Sequence, residues 1–336
     1  MAVPSESITT PNLLVIIVNF QTPDLTLQCV FTLADEIRNG LCANIVIVDN
    51  HSQDDSTAKI RRSIEIERWQ QWCWLVAAEK NLGFAGGNNF GIRSFYEAFG
   101  FHEKSKPDFI LLLNSDTIVH PGCIKKCLAT MDSDETLGAM SCKLVSVDGS
   151  IQKVARRYMS PLRLALGATG LPWKYPKWFG WAQLEYPEWD MQSVSGYAEW
   201  ISGAFMMLRS KVINQIGLLD EDFFFYGEDA EYCFRIRKFG WKIFYEPSVS
   251  ITHIGGASSD PSRLLSVARS KAVWRARYLF LRKCYGWWSM WFVRCIDIAV
   301  IGLRRIKLGV TLQGDSIRAQ ELKLSHRTIL GKLGPF

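Results

Sequence analysis

An α/β fold with a mostly parallel central sheet, followed by a helical basic and aromatic tail, is the architecture this 336-residue sequence predicts. Three observations carry it. Apolar runs rich in branched residues recur as LLVIIV (13–18), NIVIVD (44–49) and FILLLN (109–114), the signature of strands buried on both faces. A segment of helical periodicity separates the first two, which makes a βαβ unit. The charge is also divided unevenly: residues 271–310 hold nine basic side chains and one acid, Asp297, so this segment carries +8 and leaves −2 for the rest of a chain whose net charge is +6.

The elements follow in order. Residues 1–12 form a polar leader without a basic or apolar stretch, so no signal peptide is expected. After LLVIIV, residues 24–38 place Leu27, Val30, Phe31, Ala34 and Ile37 at helical spacing, and Asn39-Gly40 supplies a stop. NIVIVD is the second strand. Residues 87–99 suit a helix, FILLLN a strand, Pro121 the start of another helix, and GAMSCKLV (138–145) a further strand. Residues 156–200, with Pro161, Pro172, Pro176 and Pro187 and five tryptophans, read as a loop-rich insertion. AFMMLR (204–209), a helix near 228–239 closed by Gly240, and the strand-like KIFYEP and VSITHI complete the body. The expected divisions are therefore 1–12, 13–260 and 261–336. The nine cysteines include no CxxC pair, and they read as buried thiols of a reduced protein.

Several polar residues stand where parallel strands end, the place where ligands bind in open α/β sheets. Asn19 and Asp49 close the first two strands, and Asn114-Ser115-Asp116 closes FILLLN. Asp49 reads equally as a turn cap. Asp116 is well placed for a divalent cation, and it lies rather far from Pro121 to cap the helix there. Asn81-Leu-Gly-Phe-Ala-Gly-Gly-Asn-Asn89 offers glycines for close backbone approach before a helix, without the spacing of a dinucleotide fingerprint. Glu228 and Asp229 open a helix behind a Phe223-Phe-Phe-Tyr226 run. There the helix dipole and aromatic desolvation push their acidity in opposite directions. His253 follows a strand and precedes Gly255-Gly256, and by itself it reads as structural as readily as functional.

Seven segments in order, VIIVNFQT (15–22), IVIVDNHSQD (45–54), NLGFAGGNN (81–89), LLLNSD (111–116), ISGAFMMLRS (201–210), FFFYGEDAEYCFRIRKFGW (223–241) and HIGGAS (253–258), together resemble the family-2 glycosyltransferases, within them the rhamnosyltransferase-like branch. The resemblance implies a GT-A fold, a nucleotide-sugar-binding α/β sandwich, and inverting transfer of a sugar, dTDP-rhamnose being the suggested donor, to a saccharide or lipid-linked saccharide in surface polysaccharide synthesis. It places Asp49 on the nucleobase, and Asn19, Gly83, Phe84, Asn88, Asn89, Asn114 and Ser115 around the nucleotide sugar. It makes Asp116, with His253, the holder of Mg2+ or Mn2+. Asp229 becomes the base, accompanied by Glu228 and Arg235. Two motifs depart from the family pattern: Asn114 stands for the leading acid of the metal-binding motif, and Glu231 for the second aspartate of the motif that holds Glu228 and Asp229.

The tail contains four of the 13 tryptophans and an apolar run over 287–303, short for a spanning helix. Tryptophan beside Lys and Arg fits a helix lying in the plane of an anionic membrane, with Arg294 and Asp297 paired at i,i+3. A buried helix or a homo-oligomer contact is the alternative. The expected location is the cytoplasmic face of the plasma membrane. Nucleic acid is not an expected partner, because the excess charge is tied to an apolar segment. A non-catalytic nucleotide-sugar or glycan-binding module of the same fold is the competing reading, and a nucleotidyltransferase fits less well, since no glycine loop follows the first strand.

Overall fold

The computed structural model describes residues 13–99, 107–186, 189–255, 263–310 and 329, so the polar leader lies outside the described residues. The chain begins as a repeating strand–helix unit: β1 (Leu13–Asn19), α1 (Pro23–Arg38), β2 (Ala43–Asp49), α2 (Ser56–Ile66), β3 (Cys73–Ala77), α3 (Gly83–Phe99) and β4 (Phe109–Asn114). Then come β5 (Thr117–Val119), α4 (Cys123–Ser133), β6 (Leu137–Val145), β7 (Ala155–Arg156) and α5 (Pro161–Thr169). Two short helices, α6 (Leu171–Lys174) and α7 (Pro176–Phe179), lead to β8 (Gly196–Tyr197), β9 (Trp200–Ile201) and β10 (Phe205–Arg209). Finally come α8 (Ser210–Ile216), α9 (Glu228–Lys238), β11 (Lys242–His253), α10 (Arg263–Tyr285) and α11 (Trp287–Val310).

The main sheet has the order β3-β2-β1-β4-β10-β6-β11-β5, with β8 joined to β11. Strands β1, β2, β3, β4, β6 and β11 point one way, and β5, β8 and β10 oppose them. The strand order reverses between β1 and β4, and the register sets Asn19 beside Asp49 and Val18 beside Asn114. Such a switch point opens a crevice at the C-terminal strand ends. The buried runs of β1, β2 and β4 fill the core between the flanking helices.

Three differences from the expected elements have clear physical causes. The glycine segment is not a loop before a helix, because α3 itself starts at Gly83. Its glycines let the helix lie close on the sheet: a Cβ at Gly87 would stand 3.0 Å from Val18, and one at Gly91 would stand 2.8 Å from Val48. KIFYEP and VSITHI are one strand, β11, whose register against β6 shifts between Glu246 and Ser250, around Pro247, a residue with no N–H to donate. The 156–200 segment carries helices, and its prolines start them: Pro161, Pro172 and Pro176 each occupy the first turn, where the missing N–H costs nothing.

The C-terminal helices are not a loose appendage. Leu279 and Phe280 of α10 are buried in the main core, with Phe280 against Tyr158 and Phe234. Burying each is worth about 1.5–3 kcal/mol. Lys283 bridges Asp220 at 2.5 Å and Asp222 at 2.6 Å, just before α9. A second core gathers Leu164 of α5, Tyr278 and Leu281 of α10, Met290, Val293 and Ile301 of α11, and Ile329. Asp297 does not pair with Arg294. It is buried facing α10, where Arg277 donates at 2.8 Å and the Tyr278 hydroxyl at 3.0 Å, while Arg294 donates to the Ile329 carbonyl. A buried carboxylate facing the neighbouring helix gains more from donors on that helix than from a partner on its own surface.

Candidate active site

At the mouth of the crevice, Asn19 and Asp49 are joined side chain to side chain. The Asn19 amide donates to Asp49 Oδ1 at 2.8 Å, and the Thr26 hydroxyl donates to Asn19 Oδ1 at 2.8 Å. The other Asp49 oxygen accepts the Ser52 N–H at 3.1 Å. Both residues are buried, and the sharp exits from β1 and β2 put Gln21 and His51 at positive φ. Asn50, which the sequence reading passes over, ties the next wall in place: its side chain bonds to Asn81, Leu82 and Gly83.

Gly83 is where two walls meet. Its φ is +70°, and a Cβ there would lie 2.1 Å from the Phe224 carbonyl oxygen, which accepts the Phe84 N–H at 3.0 Å. The start of α3 is thereby fastened to the aromatic loop in front of α9. Asn88 donates within its helix to the Phe84 carbonyl. Asn89 is fully engaged with Leu219 and Glu221, holding the loop that leads to the aromatic run.

That loop ends in two consecutive left-handed residues, Tyr226 (φ 73°) and Gly227 (φ 88°), which aim the first turn of α9 into the crevice. Asp229 accepts the Gly203 N–H at 3.2 Å and the Ala230 N–H at 2.7 Å. Burial pushes its carboxyl above the ordinary range, while those two N–H groups and the charge of Arg156 pull it back. Glu228 beside it is buried, and its Oε2 has no partner. Burial first, and the Asp229 charge second, push its carboxyl up to about 8. Gly203 sits against the Phe84 ring, so Phe84, Gly203 and Asp229 are contiguous. Arg235 lies further along α9. It binds Glu231 through two bonds of 2.7 and 2.9 Å and donates to the Ile216 and Leu218 carbonyls, so it fastens the 216–218 turn to the helix.

The third group joins Asn114, Ser115 and Asp116, at the end of β4, to His253, at the end of β11. His253 Nε2 is 3.2 Å from the Asn114 amide nitrogen and 3.4 Å from Asp116 Oδ1. Gln152 settles the ring's tautomer. Its NH2 donates to the His253 carbonyl at 2.8 Å, so its oxygen is turned to accept from Nδ1–H at 2.7 Å. With Nδ1–H committed to Gln152, Nε2 is the ring nitrogen that faces Asn114 and Asp116, the arrangement of a metal-binding imidazole with its outer partner in place. Among the described residues no group of three or more His, Cys, Asp or Glu is arranged to hold a metal. The pair Asp116–His253 offers one oxygen and one nitrogen donor, a set that suits a divalent cation whose other ligands come from a diphosphate and water. The sequence reading did not find Gln152, because only the fold brings it under His253.

The mostly parallel sheet, with its crevice at the switch point between β1 and β4, is that of a GT-A fold. The chain belongs to glycosyltransferase-like family 2, whose model matches residues 11–275. A relative from Mycobacterium tuberculosis, N-acetylglucosaminyl-diphospho-decaprenol L-rhamnosyltransferase, is 27% identical over 253 residues, 73% of this chain and 76% of its own length. Among solved structures, mannosyltransferase PcManGT from Pyrobaculum calidifontis in complex with GDP-Man and Mn2+ superposes with a TM-score of 0.53 at 13% identity, over 96% of this chain and 86% of that one. GalNAc-T7 with UDP, GalNAc and Mn2+ gives 0.54 at 14% identity, over 80% of this chain and 50% of that one. These likenesses bear on the fold.

Proposed function

We propose that this protein transfers a sugar, rhamnose from dTDP-rhamnose, with inversion to a lipid-linked saccharide carried on a diphosphate, in the synthesis of a surface glycan. The observation that carries the reading is Asp229: a carboxylate aimed into the crevice by a strained turn, held by two backbone N–H groups, and raised in pKa by burial. A carboxylate brought nearer to neutral pH is a better general base than an exposed one. The M. tuberculosis relative, by its name, acts on an N-acetylglucosaminyl-diphospho-lipid with rhamnose, and this supports the donor and acceptor classes.

In this mechanism Asp229 takes the proton of an acceptor hydroxyl. The hydroxyl oxygen forms a bond to the anomeric carbon from the face opposite the nucleotide. The bond from that carbon to the diphosphate oxygen breaks, and its electron pair leaves with the nucleoside diphosphate. Asn19, Asp49, Gly83, Phe84, Asn114 and Ser115 line the donor side, with Asp49 directed to the base. Asp116 and His253 would hold Mg2+ or Mn2+, which supplies counter-charge for the leaving diphosphate when bound. Asn88, Asn89 and Arg235 serve as framework, and Glu228, which keeps its proton beside Asp229, leaves the negative charge of the pair on Asp229.

The test is transfer from dTDP-rhamnose to a diphosphate-linked saccharide by the wild type and by Asp229→Ala. The variant is expected to lose about 10²–10⁴-fold in kcat, while its thermal shift with dTDP-rhamnose persists. Near-normal turnover would remove Asp229 from the role.

A further inference from the structure

Two neighbouring arginines at the acceptor side meet different fates. Arg157 is buried, and its guanidinium is spent on the carbonyls of Gly180, Gln183 and Glu185 and on the face of Tyr186. Arg156 is half-buried, and its Nε donates to the Lys153 carbonyl. Among the described residues no ion pair joins Arg156 to a carboxylate, though its charge reaches Asp229 and draws that carboxyl down. Strand β7 pairs with β9 so that Arg156 lies opposite Trp200, with the guanidinium 5.7 Å from the ring centroid. Directly opposed residues of an antiparallel pair share a face. The indole is itself fixed, since its N–H donates to the Arg157 carbonyl at 3.1 Å. Three residues beyond Trp200, Gly203 donates to Asp229. A planar cation over an aromatic platform therefore stands beside the proposed base, with its terminal nitrogens left to present.

The setting specifies what would meet it. From Arg156 the chain runs straight into α5, and Leu164 of α5 shares the second core with α11. The outer face of α11 exposes Trp288 and Phe292. An acceptor arriving from that direction has its lipid on the α11 side and its attacking hydroxyl at Asp229, so its phosphates fall between them. Guanidinium forks match phosphate oxygens geometrically as well as electrically.

We propose that Arg156, seated on Trp200, is the acceptor subsite that binds the diphosphate of a lipid-linked saccharide, one sugar ring away from the hydroxyl that Asp229 deprotonates. This rests on the transferase reading given above.

The experiment compares two acceptors that bear the same N-acetylglucosamine, a hexyl diphosphate-linked form and an uncharged hexyl glycoside, with wild type, Arg156→Ala and Arg156→Lys. The wild type is expected to favour the diphosphate acceptor in kcat/KM by about tenfold or more, the size of a charge-assisted hydrogen bond. Arg156→Ala is expected to lose that preference, and Arg156→Lys to keep part of it. Binding of each acceptor is measured in parallel by calorimetry in EDTA, which needs neither turnover nor metal. A diphosphate preference that survives in Arg156→Ala, in turnover or in binding, overturns the proposal. Loss of the dTDP thermal shift in Arg156→Ala would assign the arginine to the donor and also overturn it. Absence of transfer by the wild type to either acceptor would instead sink the transferase reading beneath it.

Discussion

Glu228 and Asp229 are adjacent carboxyls in one helix turn, and their environments separate them. Asp229 has two N–H donors, while Glu228 has an oxygen with no partner at all. Glu228 therefore holds a proton in the folded state that the unfolded chain releases near pH 4.5. Between that value and about 8 the folded protein binds the extra proton, so stability falls as pH rises through the window and levels off above it. Replacing Glu228 by Gln should flatten this slope. Melting temperatures across pH 5–9 are expected to show the variant gaining on the wild type by about a few degrees towards the alkaline end. Parallel curves at every pH would mean that Glu228 is not protonated in the folded state. The sequence placed both acids at a helix start, but the orphaned oxygen depends on side chains remote in the chain.

At the scale of elements, the contact between α3 and the aromatic loop is made by backbone, and Gly83 is what permits it. Gly83→Ala would force a Cβ to within 2.1 Å of the Phe224 oxygen at φ +70°. It should lose about 1–3 kcal/mol of stability and reduce kcat at least about tenfold by displacing the turn that aims Asp229. Gly122→Ala, at φ +76° with open space around it, carries the strain without the clash. It is the control expected to retain turnover, and equal activity in both variants would refute the coupling. The comparison also shows what was legible. Strands β1, β2 and β4 announce themselves because both faces are buried, and apolar runs follow from that alone. The sequence does not mark α2 and β3. Only Ser56, Ile60 and Ile64 of α2 are buried, and β3 is an edge strand whose Trp74, Leu75 and Val76 are half-exposed. The glycines of α3 signal loop in isolation, and only the sheet beneath them explains them as helix.

Across the whole molecule, the excess positive charge of residues 271–310 sits on α10 and α11, helices that are part of the body. No helix among the described residues is long and apolar enough to cross a membrane. We propose that α11 lies on an anionic bilayer, with Trp288, 88% exposed, and Phe292 at headgroup depth. The wild type should float with vesicles containing phosphatidylglycerol and less so in high salt. Trp288→Ser with Phe292→Ser should reduce recovery severalfold with little change in melting temperature, whereas equal flotation would exclude this face. Point changes suit this test better than truncation, because removing α10 would strip Phe280 from the main core.

The second core has a consequence in time. Leu164 is synthesised long before Met290, Val293 and Ile301, the residues that cover it. At ~5–20 residues per second, the apolar side of α5 waits roughly 6–27 s on the ribosome for these partners. The wall that carries Arg156 therefore reaches its final packing only after α11 has left the ribosome. A nascent chain stalled before α11 would hold a complete main sheet beside a second core that still lacks Met290, Val293 and Ile301.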